Sequence, residues 1–140
     1  MKFVALKDFD KVWKIFMIHK EYLPHIRYDY VKRQIKKKSV ILEKNIVINF
    51  DVYKRNVKLG NKLFQKGTTI IHQIANKNQR NGNAKIVLKR FLNQMNKPII
   101  LSVRNDNKIA IKFYLKNKFK KIGKINWINN KIKGSIYEFK

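Results

Sequence analysis

The 140-residue sequence contains no cysteine, which excludes disulfides, thiolate metal ligands and cysteine nucleophiles. Its three histidines, His19, His25 and His72, show no metal-binding spacing such as HExxH, so we expect no metal cofactor. No apolar run approaches the roughly 18 residues of a membrane helix, and the N-terminus lacks the apolar stretch of a secretory signal. We therefore expect a cytoplasmic protein without a membrane partner.

Acidic residues are also scarce, with eight Asp and Glu against 34 Lys and Arg, which gives a net charge of +26. A bias toward AT-rich codons would raise the lysine content, but it would raise the Glu content as well. Glu occurs only as Glu21, Glu43 and Glu138, so such a bias does not account for the scarcity of acidic residues. A surface this positive attracts polyanions. Nucleic acid is therefore a candidate partner. The alternative is that the charge serves only to keep the protein soluble or makes it bind polyanions non-specifically.

The length suits one domain spanning residues 1–140, and neither an internal repeat nor a linker interrupts it. In the first half, "KFVALK" predicts a strand, and Asp8 is a candidate N-cap for a helix. Pro24 separates that helix from a second, shorter one. "SVILEKNIVINFDVYKR" predicts two strands around a tight turn, with Val47, Asn49, Asp51 and Tyr53 on one face of the second. The polar connection "NVKLGNKLFQKG" has room for another short strand.

Strand and helix alternate in the second half. The predicted strands are "TTIIHQIA", "IILSV", "FKKIGKINWI" and "GSIYEF". A helix with apolar residues three and four apart follows the first of these and ends before Pro98, and "NDNKIAIKFYLKN" predicts another. The alternation predicts an α/β or α+β fold with at least one parallel strand pair.

A glycine turn, "QRNGNA" at residues 79–84, joins a predicted strand directly to a helix. A helix N-terminus has unpaired N–H groups and partial positive charge, and Gly82 lets a phosphate approach that backbone closely. Arg80 is placed to neutralise charge. The turn matches neither the P-loop nor GxGxxG, and glycine turns before helices are common, so the turn alone also fits an ordinary connection.

A second stretch, "LSVRNDNKIAIKFYLKNKFKKIG", combines with this turn. "QRNGNA" fits the form Q/R-x-x-G-x-G/A, and residues 107–119 fit N-x-x-A-x-x-F/L-Y-x-K-x-G-F except that Lys118 replaces glycine. Together they resemble the GNAT superfamily of acetyl-CoA-dependent N-acyltransferases. The resemblance implies a GNAT fold: a mixed central sheet of six to seven strands flanked by about four helices, in the order β-α-α-β-β-β-α-β-α-β-β.

The resemblance also implies a site for acetyl-CoA as co-substrate. The pantetheine would lie along "IIHQIA", and the pyrophosphate on the turn before the helix. Asn107 would bond the cofactor, and Tyr114 would stand near the thioester sulfur as general acid. A backbone N–H of the strand would stabilise the oxyanion. The implied cofactor-binding residues are His72, Gln73, Ile74, Gln79, Arg80, Asn81, Gly82, Asn83, Ala84 and Asn107.

The general base stays open. Many relatives place a carboxylate on the strands that here carry His72, Gln73 and Ser102. His72 has a suitable intrinsic pKa, although a lone strand histidine is more often structural. Glu43 and Asp51 are alternatives that would serve equally as partners for lysines, and a water chain is another.

The acceptor amine would enter between "HKEYLPHIRYDY" and "INWINNKIKG", which carry Tyr22, Tyr28, Tyr30 and Trp127. Three functions remain: an N-acyltransferase acting on a small or protein amine, a GNAT-fold enzyme modifying a DNA or tRNA base, and a non-catalytic nucleic-acid-binding protein. The positive surface disfavours a polycationic acceptor. The sequence does not determine the oligomeric state.

Overall fold

The computed structural model describes residues 2–78 and 82–140. In the second half of the chain, strands and helices alternate as the sequence predicts. The helical elements are a 3-10 turn at Leu6–Asp8, α1 at Phe9–Ile18, α2 at Tyr28–Lys36, α3 at Asn83–Gln94 and α4 at Lys108–Lys116. The strands are β1 at Val40–Glu43, β2 at Ile46–Val52, β3 at Val57–Leu59, β4 at Lys62–Phe64, β5 at Thr69–Asn76, β6 at Ile99–Arg104, β7 at Lys120–Trp127 and β8 at Ile132–Phe139.

Six of the strands form one sheet in the order β1-β2-β5-β6-β8-β7. The sheet is mixed, because β5 and β6 pair in parallel while β1 with β2, β6 with β8, and β7 with β8 are antiparallel. The predicted tight turn between β1 and β2 is confirmed: Lys44 and Asn45 both have positive φ, at 53° and 62°. Such backbone matches the twist of a two-residue hairpin.

The chain forms two compact units, and β5 passes from one to the other between His72 and Gln73. The first unit contains Met1–Phe50 and Gln73–Asn93. Its core joins apolar side chains of α1 and α2 to those of the strands, including the fully buried Val12, Phe16 and Val47. In the same unit, the rings of Phe50 and Phe91 meet edge to face at 5.1 Å, which packs α3 against β2.

The second unit contains Asp51–His72 and Gln94–Lys140. Its core includes Phe64, Ile70, Ile100, Ile125 and Ile136. The strands β3 and β4 form a separate two-stranded hairpin, where the sequence predicted one short strand at most. This hairpin attaches to β7 through Asn61, whose N–H donates to the carbonyl of Lys124 at 3.2 Å and whose Oδ1 accepts from the Lys124 N–H at 3.0 Å.

Near the N-terminus, the prediction of a first strand was wrong, whereas Asp8 lies at the predicted N-cap position of α1 without capping it through its side chain. In place of a first strand, Phe3 makes an isolated antiparallel bridge to Ile41, and the chain turns at Leu6 into the 3-10 helix. Asp8 precedes α1, but its side chain makes no capping hydrogen bond. A side-chain cap requires an extended residue, and Asp8 is already turned, with φ −97° and ψ 10°.

None of the helices in the described part of the chain is both long and apolar enough to span a membrane.

Candidate functional site

The described residues around the turn from β5 to α3 follow the predicted order of strand, glycine and helix. β5 ends at Asn76 and α3 begins at Asn83, with Gly82 between them at φ +80°. That backbone conformation favours glycine, and a Cβ added there would meet no atom of residues 2–78 and 82–140 within 4 Å. Open space beside a helix N-terminus is the environment in which phosphates bind backbone N–H groups.

The predicted cofactor-binding residues Gln79, Arg80 and Asn81 lie outside the described residues. Asn83 and Ala84 begin α3, and Ile74 lies in β5, partly buried. α3 is fixed by its apolar face, since Val87, Leu88, Phe91 and Leu92 are all buried. The buried apolar face therefore holds α3, and with it the first turn of the helix, in place.

The carboxyl end of β5 is held by two contacts inside the first unit. The His19 ring, just after α1, forms a hydrogen bond between Nε2 and the carbonyl oxygen of Asn76 at 2.9 Å. The N–H of Lys77 donates to the carbonyl of Asn45 at 3.0 Å. These bonds position the strand end that precedes the glycine turn. No pattern in the sequence indicated that His19 would take part.

His72 lies in β5 and pairs with Asp51 at the end of β2. The distance from His72 Nε2 to Asp51 Oδ2 is 2.9 Å, and each side chain is 28% exposed. Burial, with a smaller contribution from the charge of Asp51, raises the pKa of Tyr53 above its usual value. Two residues that the sequence offered as separate candidates for the base thus form one hydrogen-bonded pair.

The other carboxylate offered as a base, Glu43, forms a salt bridge with Arg90 of α3. Ser102 lies in β6 and is partly buried. No group of three or more His, Asp or Glu side chains placed to hold a metal ion occurs among residues 2–78 and 82–140.

Gln73 follows His72 in β5 and belongs to a hydrogen-bonded amide network. Its Oε1 accepts a hydrogen bond from Nδ2 of Asn49 in β2. Asn49 is 1% exposed and also bonds Gln34 of α2. In the sequence, Asn49 was only one of two polar residues, with Asp51, on the same face of the predicted strand.

Tyr114 lies in α4 of the second unit, and Asn107 directly precedes that helix. Asn107 caps the helix, with its Oδ1 accepting from the N–H of Ala110 at 3.3 Å. Tyr114 is buried, with its ring 5.6 Å from that of Phe119. Burial raises the pKa of Tyr114 well above the usual phenol range, because the phenolate would lose its hydration. The side chain is therefore protonated at neutral pH.

Lys118 follows α4 at the position where the GNAT pattern has glycine. Its φ is 69°, in the left-handed region that glycine adopts without cost. The backbone of the turn is thus the one that a glycine would favour, although a lysine occupies it.

The aromatic residues proposed for the acceptor side have mostly structural contacts. Tyr28 packs edge to face on Phe9 at 4.4 Å and on Trp13 at 5.3 Å. The hydroxyl of Tyr30 accepts a hydrogen bond from Asn49 at 3.0 Å. Trp127 packs against the core of the second unit, and Tyr22 is exposed.

Comparison with known proteins gives the fold a name. No protein-family model matches the sequence, and no curated protein does. Solved structures do match: a GNAT-family acetyltransferase from Bacillus cereus has a TM-score of 0.75 at 19% identity, covering 99% of this chain and 94% of that one. Ard1 from Thermoplasma volcanium has a TM-score of 0.77 at 18% identity, covering 99% and 94%.

A third structure carries the co-substrate. NAA60 from Arabidopsis thaliana in complex with acetyl-CoA matches with a TM-score of 0.68 at 11% identity, covering 97% of this chain and 94% of that one. All three likenesses extend over nearly the whole of both chains. The protein therefore has the mixed α+β fold of the GNAT-family acetyltransferases.

Proposed function

We propose that the protein is an N-acyltransferase that moves an acyl group from acetyl-CoA to an acceptor amine. The observation that carries the proposal is the fold, which matches GNAT-family acetyltransferases over 97–99% of the chain. Two positions among the described residues support the proposal: Gly82 directly precedes α3, and Tyr114 lies in α4.

The cofactor would be held chiefly by backbone. In the proposed complex, residues 72–74 of β5 bond the pantetheine, and the turn at residues 79–84 binds the pyrophosphate. Helix N-termini favour anions through their N–H groups and their dipole. Gly82 adopts φ +80° with open space around it, as close approach of a phosphate to this backbone requires. In this proposal, Asn107 bonds the cofactor through its amide Nδ2, because its Oδ1 caps α4.

The chemistry is direct transfer. The amine nitrogen attacks the thioester carbonyl, a tetrahedral oxyanion forms and the C–S bond breaks. A backbone N–H of β5 stabilises the oxyanion. Tyr114, which is protonated, donates a hydrogen bond and then a proton to the departing thiolate.

The attacking amine must first lose a proton, and we propose the hydrogen-bonded pair of His72 and Asp51 as the base. In the tautomer whose Nε2–H donates a hydrogen bond to Asp51, the ring keeps its lone pair on Nδ1. His72 then takes the amine proton on Nδ1, and Asp51 stabilises the imidazolium that results. Asp51 acts through His72, so it is a positioning residue.

Release of free CoA thiol tests the proposed activity. Acetyl-CoA is incubated with the protein and a panel of amines that includes amino acid amides, hydroxylamine, nucleosides and tRNA, and the products are weighed by mass spectrometry. We expect thiol release that depends on an acceptor and a matching gain of one acetyl group. A rate equal to that without protein for every acceptor would contradict the proposal.

A nucleic acid base is the second candidate for the acceptor, and the charge of +26 favours it. In the second unit, Lys108, Lys112 and Lys116 are exposed and lie four residues apart along one face of α4. Like charges at this spacing repel one another, and α4 contains no acidic residue. A polyanion would relieve the repulsion, so we name these three residues the α4 lysine row.

Salt dependence tests this candidate. Binding of duplex DNA should weaken steeply with salt, and changing the α4 lysine row to glutamine should lower the slope of log K against log salt concentration by up to about 2.7. Changing Lys7, Lys11 and Lys14 to glutamine removes the same charge from exposed positions around α1 and serves as the control. Weak DNA binding at low salt, or equal slopes for the two triple variants, would exclude the α4 lysine row as the contact surface.

A further inference from the structure

Three amide side chains form a network inside the first unit. Gln34 of α2 and Asn49 of β2 are buried, at 2% and 1% exposure, while Gln73 of β5 is partly exposed. Burying amides costs free energy unless they are hydrogen-bonded, and well-packed apolar side chains of similar shape are often as stable. Stability alone therefore does not explain why these positions carry amides.

The bonds of Asn49 use all of its amide hydrogens. Gln34 Nε2 donates to Asn49 Oδ1 at 2.9 Å. Asn49 Nδ2 donates one hydrogen to the Tyr30 hydroxyl at 3.0 Å and the other to Gln73 Oε1. Within the described residues, no buried side-chain nitrogen or oxygen lacks a partner.

A backbone carbonyl fixes the direction of these bonds. Gln34 Nε2 also donates to the carbonyl oxygen of Phe50 at 3.3 Å. Reversing the network would turn Gln34 Oε1 toward that carbonyl and bring two acceptors together, which is unfavourable. The backbone therefore sets the orientation of Gln34, Gln34 sets that of Asn49, and Asn49 sets that of Gln73.

The consequence appears at Gln73. Its Oε1 is engaged by Asn49, so the other branch of the carboxamide, Nε2 with its two hydrogens, faces away from the network. Resting on the proposed function, we propose that Gln34 and Asn49 are positioning residues that hold Gln73 Nε2 as a hydrogen-bond donor to a substrate carbonyl oxygen. That carbonyl belongs either to the thioester or to the acceptor molecule.

The choice of a donor has a chemical meaning. A carboxylate at this position would accept a proton from the attacking ammonium, whereas an oriented amide nitrogen cannot. A donor instead complements the negative charge that develops on a carbonyl oxygen, and it acts without reorganisation when it is already fixed in place. In this proposal, Gln73 donates a hydrogen bond to a carbonyl oxygen, and a different group accepts the proton of the attacking amine.

Two isosteric variants test the proposal. Gln73→Glu keeps the oxygen that bonds Asn49 and replaces the outer donor with an acceptor. Asn49→Asp replaces Nδ2 with oxygen, so that Gln73 must turn Nε2 inward, although residue 49 touches no substrate. For both we expect thiol release from acetyl-CoA to fall about 100-fold, as for loss of one oxyanion donor, with unchanged affinity for acetyl-CoA. Asn93→Asp, an exposed change in α3 with the same charge, should leave turnover unchanged.

The choice of acceptor separates the two sources of the carbonyl. Hydroxylamine carries no carbonyl, so a loss of kcat with it assigns the donor to the thioester oxygen. A rise confined to the KM of glycinamide assigns the donor to the acceptor's own carbonyl. Higher turnover in Gln73→Glu, or unchanged kinetics of both variants with both acceptors, would overturn the proposal. If thermal melting shows that Asn49→Asp is unfolded, Gln73→Glu decides.

The orientation is also measurable without catalysis, which keeps this inference separate from the proposed activity. We expect the Asn49 side-chain NH₂ of the unmodified protein to be protected from hydrogen exchange in NMR spectra, and that of Gln73 to exchange freely. The opposite protection would overturn the inference even if acyl transfer is observed. Failure of thiol release with the expected protection would instead remove only the proposed activity.

Discussion

Gly82→Glu is expected to abolish binding of acetyl-CoA. The turn at Gly82 has φ +80°, which a side chain adopts only with strain, and a carboxylate would bring negative charge toward the proposed pyrophosphate site. The proposed N–H donors at the start of α3 would be blocked as well. Isothermal titration of acetyl-CoA into the folded variant should show no heat of binding.

Gly82→Ala separates the backbone from the charge. A Cβ at residue 82 meets no atom of the described part of the chain within 4 Å, so alanine adds backbone strain without a clash there. We expect its affinity for acetyl-CoA to lie between those of the unmodified protein and Gly82→Glu. Unchanged affinity in the glutamate variant would show that no diphosphate binds at this turn.

Tyr114→Phe is expected to lower turnover by about 100-fold, within the range typical of a lost general acid, while affinity for acetyl-CoA changes little. The phenylalanine ring preserves the packing on Phe119 and removes only the hydroxyl. Steady-state kinetics and calorimetry on the same preparation measure the two quantities separately.

The pH dependence has a definite sign. Burial raises the pKa of Tyr114, so the phenol stays protonated beyond the usual value of about 10, and turnover should not fall through this group below that pH. Tyr137→Phe is the matched control, because Tyr137 is also buried and its pKa is also raised by burial. Equal turnover of Tyr114→Phe and the unmodified protein would remove the proton-donor role.

The parts of the fold with strong periodic patterns were predictable from the sequence. The helix after the glycine turn has apolar residues three and four apart, and the structure buries that face as α3. The continuous apolar run "IILSV" forms β6, which lies inside the sheet between β5 and β8. The sequence correctly predicted that Gly82 lies in the turn before α3, because glycine adopts a positive φ without strain.

Short elements were predicted poorly because local sequence does not determine them. The first strand is reduced to a bridge at Phe3, and the polar connection forms the hairpin of β3 and β4. That hairpin depends on bonds from Asn61 to the distant Lys124, which no local pattern reveals. Asn61 and Lys124 are 63 residues apart in the sequence, so their contact forms only when the chain is folded.

In the candidate site, too, local patterns could be read from the sequence and long-range contacts could not. The glycine turn and the α4 motif are local, but the pairing of His72 with Asp51 joins residues 21 positions apart on two strands. The network from Gln34 through Asn49 to Gln73 was equally hidden, since each amide alone resembles an ordinary polar residue. Cross-strand partners become visible only when the register of the sheet is known.

Titration of acetyl-CoA into the unmodified protein by calorimetry tests the central claim most directly. We expect saturable binding of one molecule per chain, competition by free CoA, and weaker binding of pantetheine, which lacks the diphosphate. Absence of saturable binding at millimolar acetyl-CoA, with the protein shown to be folded, would contradict the account.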